Sequence, residues 1–381
     1  MTRPLSALRP VYVVGVGWHR YQDPSDTPYV ALGLTAARQA LQDAGIPFNA
    51  VDSAYVSRAL LGIACGRPIL RHLGATGLPI THVENASASG STAFRSACIE
   101  VAAGISDTSL VLGVDKRAPT VRGEAQSGIE QLAGEYIVPF THFALLADKY
   151  AHRFAVDMKD VARVAVKNHG NGAINPNAQR QRVRTLDEVL SGRRICGGLT
   201  VLQCTPLGEG AAAVIVMSED AIRAHGVDPA RAVKVLASAA TSQQVYDDPM
   251  AFDEILTEVT CEQALKDAGV APASLDVIEL HDAFSIEEVL YLEAMGVSMP
   301  GQAAGALKAG EFHIGGRVAV SPSGGLLAMG HPIGPTGVGQ IAELTVQLRG
   351  EAGPRQQPGA RIGLAHMVGV GAVCCVHVLG I

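Results

Sequence analysis

Aromatic residues are scarce in this 381-residue chain, at 4%, and charged residues make up only 17%. So little Tyr and Trp fits poorly with a sandwich or an aromatic-rich binding surface. No run of Lys and Arg is present, and the net charge of −6 is spread along the chain, which points away from nucleic acid as a partner. The seven cysteines (Cys65, Cys98, Cys196, Cys204, Cys261, Cys374 and Cys375) are odd in number and lack CxxC spacing. They build neither a disulfide framework nor a zinc site, so the expectation is a reducing, cytoplasmic setting and no metal. The adjacent Cys374 and Cys375 would face opposite sides of a strand. No stretch approaches ~18 uninterrupted apolar residues, so no membrane span is expected. The opening MTRPLSALRPVYVVGVGWHR is broken by prolines and charges, unlike a secretory signal. A phosphate loop and an HExxH are absent, and GVGWHR lacks the third glycine and acidic partner of a dinucleotide fingerprint. There is no G-x-S-x-G elbow either.

What is abundant is small and apolar: 48% hydrophobic residues and 42 glycines, a mix suited to close-packed α/β layers. The chain also repeats itself. QALQDAGIPFNAVDSAYV (Gln39 to Val56) aligns without a gap with QALKDAGVAPASLDVIEL (Gln263 to Leu280), 224 residues further on. Each predicts a helix ending in Ala-Gly, where Gly supplies a left-handed cap, then a short turn and an apolar strand. A weaker pair, SASGSTAFRSACIEVAAG and GPTGVGQIAELTVQLRG, predicts two helices that both start in small-residue turns. The predicted organisation is an N-terminal half over residues 1–115 and 209–225, an insertion over 116–208, and a C-terminal half over 226–381. The insertion is richer in Arg, Lys, Asn and Gln than its surroundings, and a separate helical domain is the alternative reading of it.

Four stretches carry chemistry. In LDVIELHDAFSIEEVLYLEAMG, His281 follows a predicted strand directly, where open α/β sheets place their ligands. Such a His suits acid–base or oxyanion work, the plainer alternative being a helix cap by Asp282 or Ser285. SPSGGLLAMGHPIGPTG, from Ser321 through Gly324 to Gly337, is a constrained turn before a helix; it presents His331 and backbone N–H groups to an anion. AHMVGVGAVCCVHVLG reads as a final strand, in which Gly369 offers close approach and an oxyanion N–H, or else only packs. In FTHFALLADKYAHRF, His142 opens a helix of the insertion, where it is a candidate substrate-binding residue, although such a place is more typical of a surface or capping His. To these the turn VENASASGS adds Ser87, just before a helix, either as a cap or as the place of a nucleophile.

In this order, VENASASGSTAF, VKNHGNGAINPNAQ, LTVLQCTPLGEGAAA, LHDAF, SGGLLAMGHPIGPTG and GVGAV resemble the thiolase superfamily, and within it the sterol-carrier-protein and lipid-transfer-like group. The resemblance covers nearly the whole chain. It implies an α/β, five-layered αβαβα thiolase fold of two duplicated halves with an inserted loop domain. In members with thiolase activity a Cys at the VENxCASG turn takes the acyl group, at a helix N-terminus that lowers its pKa. A His in the GHP loop activates it, a His in the HDxF loop polarises the thioester oxygen, and a second Cys shuttles the α-proton.

Carried onto this chain, the two histidines are His281 and His331, but the first sulfur position is Ser87, the second is Ala283, and the C-terminal loop has His366 and Met367. Ser321 stands where NPSGG has Asn, and Glu209 where DGAAA has its acid. A serine alcohol is far less ionised than a thiol, so the pattern predicts enolate chemistry without acyl transfer: retro-aldol cleavage of a β-hydroxyacyl-CoA. His331 or a tyrosine is the base, Tyr246 being one candidate and Tyr291, inside a helix, more typical of packing. Two other readings stand beside this one. The first is a thiolase or acyltransferase in which Ser87 is a natural or engineered replacement of Cys; the second is a non-catalytic acyl-CoA-binding subunit. Coenzyme A enters as part of the substrate and no bound cofactor is expected. The resemblance further implies a homodimer and a small zinc-ribbon/OB-fold partner protein, and the few aromatics of the insertion suggest an aliphatic or alicyclic acyl group.

Overall fold

A computed structural model describes residues 3–117, 139–244, 252–369 and 373–381. In chain order come β1 (Val11–Gln22), α1 (Tyr29–Ala44), β2 (Ser53–Ser57), α2 (Gly66–Arg71), β3 (Ile80–Val83), α3 (Ser89–Ala102) and β4 (Thr108–Asp115). A mostly helical excursion follows: α4 (Pro139–Phe154), α5 (Met158–Ala173), α6 (Leu186–Ser191) and a ribbon of β5 (Arg194–Cys196) and β6 (Leu199–Thr200). The chain returns through β7 (Glu209–Ser218) and α7 (Glu219–His225). It continues with β8 (Val233–Ser242), α8 (Phe252–Ala268), β9 (Val277–Glu279), α9 (Ser285–Ala294), α10 (Ala303–Lys308) and β10 (Ala319–Val320). The last elements are α11 (Gly325–Ala328), α12 (Ile333–Leu348), β11 (Ile362–Gly369) and β12 (Val373–Gly380).

The strands lie in the order β10-β9-β11-β12-β8-β1-β7-β4-β2-β3. Reading outward from the junction, β1-β7-β4-β2-β3 and β8-β12-β11-β9-β10 are the same five-stranded arrangement twice. The halves join where Tyr12 and Val13 of β1 pair with Lys234 and Val233 of β8. The sequence repeat falls on equivalent elements: α1 caps at Gly45 (φ 70°) before β2, and α8 caps at Gly269 (φ 67°) before β9. Both glycines take the left-handed conformation that Cβ-bearing residues resist.

Strand alternation sets the layers. On β7, Ala213, Ile215 and Met217 pack with Leu32 and Ala36 of α1, while Val214 and Val216 face Phe94 of α3 and Ile341 of α12. On the other half, Leu364 and Val376 pack with Leu256 of α8 and Val289 of α9, while Ala365 and Leu379 share the central core. Helices α3 and α12 are thus sandwiched between the two half-sheets, giving five layers. They meet at glycine: a Cβ on Gly90 would lie 2.8 Å from the Gly334 carbonyl oxygen and 2.9 Å from the Val338 nitrogen. This close approach brings the two helix N-termini together, and the site is built there.

The run AHMVGVGAVCCVHVLG is not one strand but the paired β11 and β12, with Gly369 opposite Val373. Its sixteen residues exceed the usual strand length of about 3–10, and each of the two arms is buried almost throughout. Among the described residues no helix is long and apolar enough to cross a membrane.

Candidate active site

Between β3 and α3 the chain turns sharply. Ala86 adopts φ 48°, a left-handed conformation costly for a residue with a Cβ. Ser89 holds the turn, accepting the Asn85 N–H at 2.8 Å and donating to the Ala86 carbonyl at 2.6 Å. The result points Ser87 across to the other half, where its Oγ lies 3.0 Å from His331 Nε2.

His331 sits just before α12. Its Nδ1 is 2.8 Å from Thr336 Oγ1, and the Thr336 hydroxyl donates to the Pro332 carbonyl at 2.7 Å. A hydroxyl has one proton to give, so toward His331 it accepts. The ring therefore carries its proton on Nδ1, and the Nε2 lone pair accepts the Ser87 O–H. Burial, helped by the neighbouring His281, drives the His331 pKa well below the ordinary value, so the ring is neutral at pH 7.

His281 stands edge-on to His331, ring centroids 5.5 Å apart. Its Nδ1 lies 2.9 Å from Glu287 Oε1, on the first turn of α9. The same carboxylate accepts the Phe284 N–H at 2.7 Å and the Tyr291 hydroxyl at 3.0 Å. Burial raises the Glu287 pKa, and the attraction of His281 opposes that. His281 Nε2 is buried without a hydrogen-bond partner. Such an orphan costs about 1–3 kcal/mol, and in a catalytic cleft it is the atom a substrate oxygen would satisfy. Behind it lies His366, whose Nε2 is 3.0 Å from Thr257 Oγ1 and whose pKa burial lowers to about 3. The cluster thus pairs an uncharged base with an imidazole held by a carboxylate, the equipment for moving a proton at one atom while charge gathers at another.

Of the residues singled out in the sequence, Ser87, His281 and His331 converge. Gly369 joins them at the serine turn: a Cβ there would fall 2.8 Å from the Asn85 oxygen and 3.3 Å from the Ala88 Cβ. Ser321 (φ 50°) and Gly324 (φ 107°) shape the turn into α11 and lean on α5. The Ser321 carbonyl accepts from Asn171 Nδ2 at 3.0 Å, and its own Oγ is buried without a partner. His142 is neither a surface nor a capping residue. It is buried in α4, with Nε2 3.1 Å from Asp253 of α8, because the helix turns that face inward against the second half. Tyr246 lies outside the described residues. Tyr291 packs in the core as expected, yet its hydroxyl also supports Glu287. Asp282 does not cap α9; it accepts the Leu326 N–H at 2.7 Å and the Asn168 amide, tying β9's end to α11. Glu209 is buried in an ion pair with Lys116 at 2.8 Å. Sequence reasoning missed Glu287 and Thr336. Their only signal was a Glu in the first turn after HDAF and a hydroxyl one turn after GHP.

Comparisons with known proteins identify the family and the fold. The family model "Thiolase, N-terminal domain" matches residues 20–189, and "Thiolase C-terminal domain-like" matches residues 233–380. The chain is 38% identical to sterol carrier protein 2 of Gallus gallus, over 97% of its own length and 71% of the relative's. It is 34% identical to an acetyl-CoA acetyltransferase of Methanothermobacter thermautotrophicus, covering 97% of this chain and 99% of that one. Among solved structures, an Ltp2-ChsH2(DUF35) aldolase superposes with a TM-score of 0.84 at 23% identity, over 98% of each chain. Two half-sheets of one arrangement, a serine turn facing a GHP histidine, and relatives aligned almost end to end lead to one conclusion: this chain belongs to the thiolase superfamily of enzymes.

Proposed function

We propose that the protein cleaves the Cα–Cβ bond of a β-hydroxyacyl-CoA by a retro-aldol step. The observation that carries this reading is the Ser87–His331–Thr336 chain, which ends on a neutral hydroxyl. A serine nucleophile is strongly activated when its His is backed by a carboxylate that stabilises the imidazolium. Here the carboxylate, Glu287, backs His281 instead, and burial holds His331 neutral. Ser87 is therefore a weakly activated alcohol, and no sulfur stands at positions 87, 283, 366 or at the glycine of position 369. Met367 supplies only a thioether.

Retro-aldol chemistry suits this division of labour. His331 Nε2 takes the β-hydroxyl proton, directly or through the Ser87 hydroxyl, as the Cα–Cβ bond breaks. The β-carbon leaves as a ketone or aldehyde, and the bonding pair becomes the enolate of the shortened acyl-CoA. His281, doubly protonated beside the Glu287 carboxylate, donates its Nε2–H and, with the Gly369 N–H, holds the enolate oxygen, and the proton on His331 returns to Cα. Tyr246 is the second candidate for the base, and Ser321 and Gly324 shape the loop that faces the substrate. The acyl group is aliphatic or alicyclic, such as a steroid side chain, with coenzyme A as the activating handle. A homodimer is the expected assembly, in the cytoplasm. The similarity in fold to an aldolase that pairs Ltp2 with ChsH2(DUF35) supports a small zinc-ribbon/OB-fold partner.

Ser87 variants test this. In Ser87→Ala, cleavage should persist within about 10- to 100-fold of wild type, since the base remains. Intact-protein mass spectrometry after incubation with acyl-CoA should show no added acyl group. Ser87→Cys should gain CoA-dependent thiolysis. An acyl adduct on wild-type Ser87, together with complete loss of turnover in Ser87→Ala, would establish acyl transfer instead.

A further inference from the structure

The ends of β4 and β11 occupy equivalent places in the two halves. Gly369 closes β11 against the turn that starts α3. Asp115 closes β4 against the start of α12. Asp115 is fully buried, and its carboxylate accepts backbone N–H groups from Ala59 at 2.9 Å, Leu60 at 2.8 Å and Gly334 at 2.6 Å. Two of these donors lie on the loop after β2; the third is the second residue of α12, three residues beyond His331. The Gly334 carbonyl is held as well, by Ser57 Oγ at 2.9 Å. The fit leaves no slack: a Cβ on Gly334 would lie 2.6 Å from the Arg58 Cα and 2.8 Å from Asp115 Oδ2. The first half therefore grips, through one side chain, the helix start that delivers the base of the second half. That base must meet Ser87, which belongs to the first half.

We propose that Asp115 is a positioning residue for His331, a carboxylate latch between the two halves that sets the distance from His331 Nε2 to Ser87 and to substrate. The proposal rests on His331 being the base, and it holds for aldol and acyl-transfer chemistry alike. It adds a pH dependence of its own. Burial pushes the Asp115 pKa up to about 6, against the pull of its backbone donors. A carboxyl that takes up a proton loses its charge and accepts the Gly334 N–H more weakly. Among the described residues, the charged and titratable neighbours are Arg58 on the gripped loop, Cys65 before α2, and Lys116, which is engaged by Glu209. The first turn of α12, Ile333 to Thr336, brings none.

Asp115→Asn keeps the shape but removes the charge and turns one of the two acceptor oxygens into a donor facing backbone N–H groups. The expected result is a kcat lower by about 10- to 100-fold with KM within about 3-fold, since binding contacts are untouched. The acid limb of the wild-type kcat profile near pH 6 should be absent from the variant. In protein labelled at the His ring carbons, the His331 signal, assigned by its loss in His331→Asn, should shift in Asp115→Asn at pH 7.5. Should the variant fail to fold, amide exchange in wild-type α12 decides: protection of its first turn, corrected for intrinsic rate, should fall as pH drops through 6. Wild-type kcat with an unmoved His331 signal, or exchange protection that ignores pH, overturns the proposal. If no acyl-CoA is turned over, the proposed function fails, and the His331 signal still tests Asp115.

Discussion

Thr336 decides which nitrogen of His331 is free, because its only proton already goes to the Pro332 carbonyl. Thr336→Val keeps the volume and removes the acceptor, so the ring loses its orientation and its preferred tautomer. The expected outcome is a kcat lower by about 10- to 100-fold, and Thr336→Ser should stay near wild type; steady-state kinetics check both. A Val variant with unchanged kcat would show that His331 is held by packing alone. Glu287→Gln should similarly weaken the hold on His281, since an amide offers that imidazole no charge. At this scale the histidines were legible, because HDAF and GHP set them in strongly shaped turns. Their partners were not. That the first-turn Glu of α9 both caps its own helix and holds a histidine depends on a contact made only in the folded chain. The same holds for Asp115, an acid at a strand end whose ligands come from two distant segments.

At the scale of elements, the α3–α12 crossing is the most demanding contact. Gly90→Ala would press its Cβ onto the backbone of Gly334 and Val338, at 2.8 and 2.9 Å, so one helix must move. A loss of about 1–3 kcal/mol is expected, with a fall in kcat as Ser87 and His331 separate. Gly170, in the interior of α5, is the contrast: a Cβ added there would meet nothing within 4 Å. Gly170→Ala should stabilise by about 0.5–1 kcal/mol, measured by urea unfolding. Equal effects at the two positions would mean that α3 and α12 do not approach so closely. Helices with glycine caps were legible here, whereas the β11–β12 pair read as one strand. Its glycines looked like packing sites in a continuous apolar run, and only the pairing of Gly369 with Val373 reveals the reversal.

For the whole molecule, duplication was visible where helix, glycine cap and strand align across 224 residues. Elsewhere the halves share strand order while their sequences have diverged, so β1 and β8 announce no kinship. The buried His366 and His377, with the half-buried His331, give the fold a pH signature. His366 and His377 are held near 3, with His331 also well below its ordinary value, all chiefly by burial. Below about pH 6.5 the unfolded chain protonates these rings and the native chain does not, so their contribution to stability is lost as pH falls. Glu279, raised to about 8, and Asp115 act in the opposite sense over that window, because the native state holds their protons more tightly. His377→Gln isolates one ring: the stability profile between pH 7 and 5 should become shallower on its acid side by about 1.4 kcal/mol per pH unit. Urea midpoints that run parallel to wild type would contradict the burial of a neutral His377.

The proposed function turns on which acyl-CoA the protein cleaves. The most direct measurement incubates the wild-type protein with a β-hydroxyacyl-CoA alone and, separately, with a β-ketoacyl-CoA plus free CoA, following products by mass spectrometry. The account predicts a ketone or aldehyde and a shortened acyl-CoA from the first, with no CoA consumed. Cleavage of the second alone, dependent on free CoA, would contradict it.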